Sequence, residues 1–246
     1  MSSFVRVVRR WPNAGFGSYL LTTIDTVAAI LEAGLIPVVD YRHRKSMQLY
    51  RTYDGENVWD TFFHQQHSVA EAAECPELTV DFGKRQKVPC LTYYESRSTF
   101  QSFVQPREAV DHFATQRINY RIGQGVEYDC IYFRGTDKKN ERRPVPFERY
   151  DSILDAANGP LVAQTDQQSF IDYVKKRKPD VIIFPELRYS ATESPLHQDS
   201  SPGFRKGVEA WTVIRILAGA RRLYASRSNI TTVTNLMRTN PAEHLN

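Results

Sequence analysis

Apolar and polar positions along the chain fall into blocks whose period changes. Phe4 to Val8 alternates apolar and basic residues, the two-residue period of a strand. Past a turn containing Gly15 and Gly17, Leu20, Ile24, Val27 and Leu31 recur at helical spacing, and Gly34 is placed to end that helix. Ile36 to Asp40 is short and β-branched. This order predicts a βαβ unit whose glycine turn is free to take positive φ and approach a ligand. Trp59, Phe62 and Phe63 crowd the next segment and are read as packing beneath a loop rather than as a sugar-stacking platform. Ser68 to Glu74 is a weak helix, and Lys87 to Tyr94 a strand carrying Pro89. Pro106 to Ile122 is a better helix, with Val110, Phe113, Ala114 and Ile118 along it. Gly123 and Gly125 then punctuate the chain, and a domain boundary is expected between Arg121 and Val126.

The second half alternates more regularly. Cys130 to Phe133 is an apolar run of strand length that breaks into Arg134-Gly135-Thr136-Asp137-Lys138. A helix from Pro146 to Ala157, a strand from Leu161 to Ala163 and a helix from Gln168 to Lys176 follow. Val181 to Phe184 is a strand between Pro179 and Pro185, and Glu186 to Arg205 is a long polar loop. Lys206 to Ala218 is a helix, Leu223 to Ala225 a strand, and Ile230 to Met237 a closing helix. Such alternation is the signature of a parallel sheet covered by helices on both faces. Polar clusters stand at three of its strand ends: Arg134 to Lys138, Thr165 to Gln167, and Ser226 to Asn229. Open α/β sheets bind ligands at the carboxyl ends of their strands. Arg134 offers a planar fork of donors for phosphate, with Lys138 as a point charge. Ser228 and Asn229 precede a helix whose free N–H groups suit a diphosphate. The plainer alternatives are a solvated turn at Arg134 to Lys138 and simple N-capping at Ser228.

Composition narrows the classes. The chain has 246 residues, 41% hydrophobic and 24% charged, with a formal net charge of +4, a mild excess that suits an anionic small ligand as well as nucleic acid. The basic residues form no long block and no familiar nucleic-acid motif appears, which argues against nucleic acid as partner. Cys75, Cys90 and Cys130 are scattered, with no C-x-x-C pair, so neither a disulfide framework nor a zinc site is expected. No Asp-x-Asp occurs, so no metal bridging a diphosphate is expected. The charged N-terminus does not read as a signal peptide and no run is long enough to span a bilayer, giving the expectation of a cytoplasmic protein.

The strand-end residues resemble the fucosyltransferase superfamily that includes the alpha-1,6-fucosyltransferases of Nod-factor and N-glycan core type. Its first motif, His-x-Arg-Arg-Thr-Asp-Lys, is similar to Tyr132-Phe133-Arg134-Gly135-Thr136-Asp137-Lys138, and its Pro-x-x-x-Tyr context to Pro146 and Tyr150. Its second motif, Thr-Asp-Asp, is similar to Thr165-Asp166-Gln167. Its third, an acidic residue in a long helix, a strand and then Ser-Ser/Asn, resembles Glu209, Leu223 to Ala225 and Ser228-Asn229. The loop from Asn13 through Gly15 and Gly17 to Leu20 is similar to the Gly-x-Gly-Asn-Gln-Leu loop of related transferases. The resemblance implies an α/β, GT-B-like architecture: two Rossmann-like domains, 1–124 on the acceptor side and 125–246 binding the donor, with a nucleotide-sugar cleft between them. It implies a nucleotide-sugar donor, a glycan acceptor and no metal or other cofactor.

By that resemblance Arg134 binds the β-phosphate and stabilises the leaving diphosphate, and Asp166 faces the base or its neighbourhood. Tyr150 walls the nucleotide, and Ser228 with Asn229 holds phosphate. Thr136, Lys138, Gln167, Glu209 and Ser226 complete the donor site. Glu141 and Asp137 are the candidate general bases, with Asp25 and Asp40 as outside choices. His197 is placed where it could approach an acceptor, though a surface histidine is the simpler reading. The chain departs from the pattern at Tyr132, Gly135 and Gln167, and the N-terminal loop lacks Asn-Gln; these changes bear on the donor more than on the fold. The expected activity is inverting transfer of fucose from GDP-fucose. The alternatives are another sugar nucleotide, or a non-catalytic relative that binds a nucleotide or glycan.

Overall fold

A computed structural model describes residues 4–10, 14–80, 93–136, 145–187, 189–191 and 200–245. By internal contacts the chain divides into two compact units. Unit 1 comprises Met1–Asp111 with Ser201–Ala210, and unit 2 comprises His112–Ser200 with Trp211–Asn246. The division thus falls earlier than the glycine punctuation at Gly123 and Gly125, because the helix Glu108–Arg121 runs unbroken past it. Ser201–Ala210 also joins the first unit although it lies late in the chain.

Unit 1 contains a three-stranded parallel sheet in which β1 (Phe4–Arg9) is central between β2 (Ile36–Asp40) and β4 (Glu77–Val80). A two-residue strand β3 (Phe63–His64) pairs antiparallel with β5 (Gln105–Pro106). Helix α1 (Phe16–Glu32) buries Phe16, Tyr19, Leu20, Ile24, Val27 and Ala28. The stripe ends on Ile30, 4% exposed, whereas Leu31, expected on it, is 48% exposed. Gly34 follows the Ala33 cap with φ 72°, the left-handed conformation that glycine reaches without steric cost. Helix α2 (Val58–Phe62) supplies the crowded aromatics, and Trp59, Phe62 and Phe63 are fully buried. Trp59 lies 4.7 Å from Phe63, and Phe16 meets Tyr50 and Phe62 edge-on at 5.2 and 5.4 Å. The packing role expected for this cluster is the one it has.

The outer face of the β1 region is electrostatic. Arg6 donates to Asp40 at 3.2 Å and to Glu77 at 2.6 Å, and Arg42 donates to Asp40 at 2.8 Å. Burial pushes the Asp40 carboxyl up, but the hydrogen bonds and charge of Arg42, with Arg6, outweigh that and hold it below the usual carboxylate range.

Unit 2 is built on a parallel sheet of order β7-β6-β8-β9, where β6 is Asp129–Phe133, β7 Leu161–Thr165, β8 Leu223–Ala225 and β9 Glu243–His244. Strand β6 shows why its sequence is continuously apolar. Cys130 and Tyr132 enter one core cluster with Ile216, Leu217 and Leu223. Ile131 and Phe133 enter a second with Tyr150, Phe170, Ile171 and Val174. Both faces are covered, so no position is left for alternation. Helix α6 (Gln168–Arg177) presents Phe170, Ile171 and Val174 to the second cluster. Phe170 stacks on Phe133 at 4.8 Å and meets Tyr150 edge-on at 4.9 Å.

The remaining helices are α3 (Tyr93–Phe103), α4 (Glu108–Arg121), α5 (Asp151–Ala156), α7 (Gly203–Gly219) and α8 (Asn229–Met237). Several expectations shift. Val181 to Phe184 forms an isolated parallel bridge, Ile182 to Val162, rather than a strand of the sheet. The helix expected from Pro146 begins as a 3-10 turn, Phe147–Tyr150, before α5. Ser68 to Glu74 is mostly turn, and Tyr93 and Tyr94, expected to end a strand, open α3; the rest of that expected strand, 87–92, lies outside the described residues. Among the described residues no helix is long and apolar enough to cross a membrane.

Two outcomes test these assignments. Phe170→Ala should lower stability by about 3–5 kcal/mol in urea unfolding, the usual loss for truncating a fully buried aromatic. Asp40→Asn should cost about 1–2 kcal/mol at pH 6. Asp40 titrates lower when folded than unfolded, so its contribution is complete above an unfolded pKa of about 4. It is lost as pH falls through the folded value, and the difference between Asp40→Asn and wild type should shrink towards zero by pH 3.

Candidate functional site

The carboxyl ends of three strands of unit 2 meet. The register pairs Phe133 with Thr165 and Tyr132 with Ala225, so Arg134 follows its strand level with Asp166, and Ser226 stands one residue earlier, level with Phe133. Arg134 Nη1 lies 2.6 Å from Asp166 Oδ2, with the two side chains 16% and 5% exposed. The same carboxylate accepts the Gly135 N–H at 2.9 Å and the Thr136 hydroxyl at 2.5 Å. Asp166 therefore gathers three consecutive residues of one turn. Its own backbone is fixed from behind, since its carbonyl accepts the Ser190 N–H at 2.8 Å and the Ser190 carbonyl accepts the Gln168 N–H at 3.0 Å.

The third strand end closes the turn from the other side. Ser226 Oγ accepts the Arg134 N–H at 2.8 Å, and the Ser226 N–H donates to the Tyr132 carbonyl at 3.0 Å. That carbonyl also accepts the Tyr150 hydroxyl at 2.9 Å. Tyr150 is fully buried, and burial pushes its hydroxyl far up, so it stays a neutral donor. It supports the end of β6 from within the core, a correction to its expected place as a wall of the nucleotide site. Ser226 likewise spends its polar atoms within the turn. Ser228 caps α8: its hydroxyl accepts the Thr231 N–H at 3.1 Å, and Thr231 Oγ1 accepts the Ser228 N–H at 2.8 Å. This reciprocal capping box accounts for Ser228 as the plainer reading had it. Asn229, the first residue of α8, is exposed.

The strand-end arrangement thus brings together Arg134, Thr136, Asp166, Gln167 and Ser226, with Ser228 and Asn229 at the start of α8. Glu209 belongs to unit 1. It is buried on α7 among the residues of unit 1 and accepts from Arg205 Nε at 2.7 Å. The N-terminal glycines correct another expectation. Gly15 caps α1 with φ −70°, and Gly17 lies in the helix, so neither takes positive φ. Nothing in the residue pattern pointed to Arg9, which is fully buried at the end of β1, 4.0 Å over the ring of Tyr19 and donating to Thr22 Oγ1 at 2.6 Å. Ser190 was missed as well, since its support of Asp166 is purely backbone and no side-chain pattern announces it. Cys130 is fully buried, and burial pushes its thiol up, which leaves it inert as a nucleophile. Asp25 is exposed on α1, and Asp40 is committed to its arginines. Asn13, Asp137, Lys138, Glu141 and His197 lie outside the described residues.

Chemically, the turn holds a guanidinium fixed by one carboxylate in the same unit as the N-terminus of α8. The arrangement lies at the carboxyl edge of a parallel sheet, where ligands of such sheets bind.

No family model and no curated protein matches the chain by sequence. Solved structures do match. The NodZ alpha-1,6-fucosyltransferase co-crystallised with GDP is 15% identical, with a TM-score of 0.63 over 97% of this chain and 93% of that one. An Arabidopsis thaliana FUT1 variant in complex with GDP is 10% identical, with a TM-score of 0.57 over 96% of this chain and 68% of that one. POFUT1 in complex with GDP is 9% identical, with a TM-score of 0.51 over 99% of this chain and 98% of that one. The chain has the α/β, GT-B-like fold of these fucosyltransferases.

Proposed function

We propose that the chain is a glycosyltransferase that transfers fucose from GDP-fucose to a glycan hydroxyl, with the donor bound by the unit that contains Arg134. The observation that carries this is the seating of Arg134 on Asp166 where the ends of β6, β7 and β8 meet. The fold supports it, since the NodZ and POFUT1 structures of the same fold hold GDP or GDP-fucose. The acceptor is assigned to the first unit by the same resemblance.

In the proposed reaction the acceptor oxygen attacks C1 of the fucosyl group from the face opposite the diphosphate. The C1–O bond to the β-phosphate breaks, the new glycosidic bond forms with inversion, and GDP departs with the bonding electron pair. The acceptor proton passes to a carboxylate, for which Glu141 and Asp137 are the sequence candidates. Charge grows on the leaving diphosphate. It is met by the Arg134 guanidinium, by the free N–H groups at the start of α8, and by Lys138 on sequence grounds. Because Asp166 already fixes Arg134, little reorganisation is needed as that charge develops. No metal is assigned, since the chain lacks the Asp-x-Asp carboxylate pair for bridging one.

Calorimetric titration with GDP, UDP and GDP-fucose, each with and without magnesium, tests the reading. Selective GDP binding that is indifferent to magnesium is expected. Selective UDP binding would keep the transferase and replace the donor, and binding of none would overturn the assignment. Arg134→Lys retains a cation for Asp166, so it should fold. It loses the planar fork and should lower kcat for fucosyl transfer about 100-fold, while Arg134→Ala should lower it about 1000-fold or more. Transfer near the wild-type rate in both variants would place the chemistry elsewhere.

A further inference from the structure

On the outer face of the unit 1 sheet, cations outnumber the carboxylates that hold them. Asp40 is bound by Arg6 and Arg42, and Glu77 by Arg6 and Arg10, so two negative charges stand against three positive ones. The surplus lies at a cavity of about 420 Å³ whose lining includes Val8, Arg10, Arg42 and Gly55. The register pairs Val8 with Asp40, and Arg10 and Arg42 stand two residues beyond that pair. Like charges on neighbouring strands repel, so the two arginines do not hold each other there. Their side chains are 58% and 48% exposed. Arg42 spends Nε and Nη2 on Asp40, and Arg10 spends Nη2 on Glu77. Among the described residues, nothing takes Arg42 Nη1 or Arg10 Nε and Nη1. The exposed Arg10–Glu77 pair contributes little, so Arg10 can turn to a ligand at small cost.

The loop that completes the lining is fixed. Arg51 donates to the carbonyls of Tyr41 at 2.7 Å, His43 at 2.9 Å and Glu56 at 2.8 Å. The buried Glu56 carboxylate accepts the Thr52 and Tyr53 N–H groups at 2.5 and 3.3 Å, and also the Thr61 hydroxyl. Gly55 supplies the turn between them with φ 82°. A cavity whose lining is held in this way has little freedom to lose when a ligand enters.

We propose that this cavity binds an acidic sugar, a uronic acid whose carboxylate takes the open N–H groups of Arg10 and Arg42, and that the acceptor glycan is therefore anionic. The step from cavity to acceptor rests on the functional reading above, which puts the acceptor on unit 1. Charge and shape argue for a carboxylate: the surplus is positive, and a guanidinium fork matches a planar carboxylate, as Arg42 already shows on Asp40. Size argues for a sugar rather than a free ion. The volume falls within the roughly 300–1,000 Å³ of small-molecule pockets, whereas a bare anion displaces only a few waters of about 30 Å³ each. The buried Val8 gives the C–H face of a sugar ring an apolar surface inside an otherwise charged lining.

Titration of the full chain with cellobiouronic acid, cellobiose and sodium acetate tests this, since the two disaccharides differ by one carboxylate. Cellobiouronic acid should bind about tenfold or more tighter than either of the others, and added salt should weaken it. Arg10→Gln and Arg42→Gln should each lower that affinity about fivefold or more. Arg10→Gln breaks only an exposed pair, so its unfolding temperature should stay within about 2 °C of wild type; it keeps the test open if Arg42→Gln unsettles Asp40. Equal affinity for the two disaccharides, binding of neither, or an affinity unchanged in Arg10→Gln would overturn the inference. Acetate bound as tightly as the acid disaccharide would overturn the sugar assignment. GDP binding without a preference for the acid would defeat this inference and leave the donor reading standing. Preference for the acid without GDP binding would defeat the donor reading and leave the acidic-sugar site standing.

Discussion

Arg134 and Asp166 form a largely buried ion pair, and the candidate site depends on it. Removing a guanidinium and a carboxylate from water is costly, and their attraction repays that cost only when the remaining lone pairs and protons are also bonded. Here Asp166 takes a backbone N–H and a hydroxyl besides the guanidinium, so both of its oxygens are engaged. Both added donors come from residues adjoining Arg134 in the chain. The carboxylate therefore compensates its own burial by ordering the turn that presents the cation. A pair bonded in this way contributes to placement more than to net stability.

This pair can form only because the sheet brings its strand ends to one level. Parallel register of β6 with β7 sets Arg134 beside Asp166, its register with β8 sets Ser226 one residue back beside Phe133, and the covering of both faces keeps the strands from slipping. Tyr150 links core and site directly. Its hydroxyl meets the Tyr132 carbonyl that also receives the Ser226 N–H, so the packing that buries the ring fixes the base of the turn. Each strand thus ends where apolar burial stops and polar side chains have only one another, or a ligand, to bond.

What the sequence disclosed, and what it hid, follows from the same division. Strand β6 was legible because burial on both faces writes a continuous apolar run, and the polar residues after β6, β7 and β8 were legible because they break such runs abruptly. The limits of the first unit were obscure, because Ser201–Ala210 joins it through contacts distant in sequence, and Glu209 went with that segment. Strand β9 is two polar residues long and is defined only by its pairing to β8. Leu31 and Ile30 compete for one stripe of α1, and a spacing rule cannot choose between adjacent apolar residues when the helix closes at Glu32. Tyr150 was read as facing ligand since an aromatic near a phosphate motif fits that role equally well; only its burial decides otherwise.

The two departures at the strand ends, Gly135 and Gln167, look in the sequence like separate losses from a charged pattern. Their contact changes that interpretation. Relative to the Arg-Arg and Asp-Asp pattern the chain resembles, Gly135 removes one positive charge and Gln167 one negative charge. The local charge balance is preserved, and the volume vacated at one position is filled from the other. Losing the arginine alone would leave a half-buried acid without its counter-charge. Losing the acid alone would leave two guanidiniums sharing one carboxylate. Made together, the changes leave one guanidinium fixed by one carboxylate and a neutral amide laid over Gly135. A packed turn couples the two positions, because a side chain at 135 and the carboxamide of Gln167 would claim the same space.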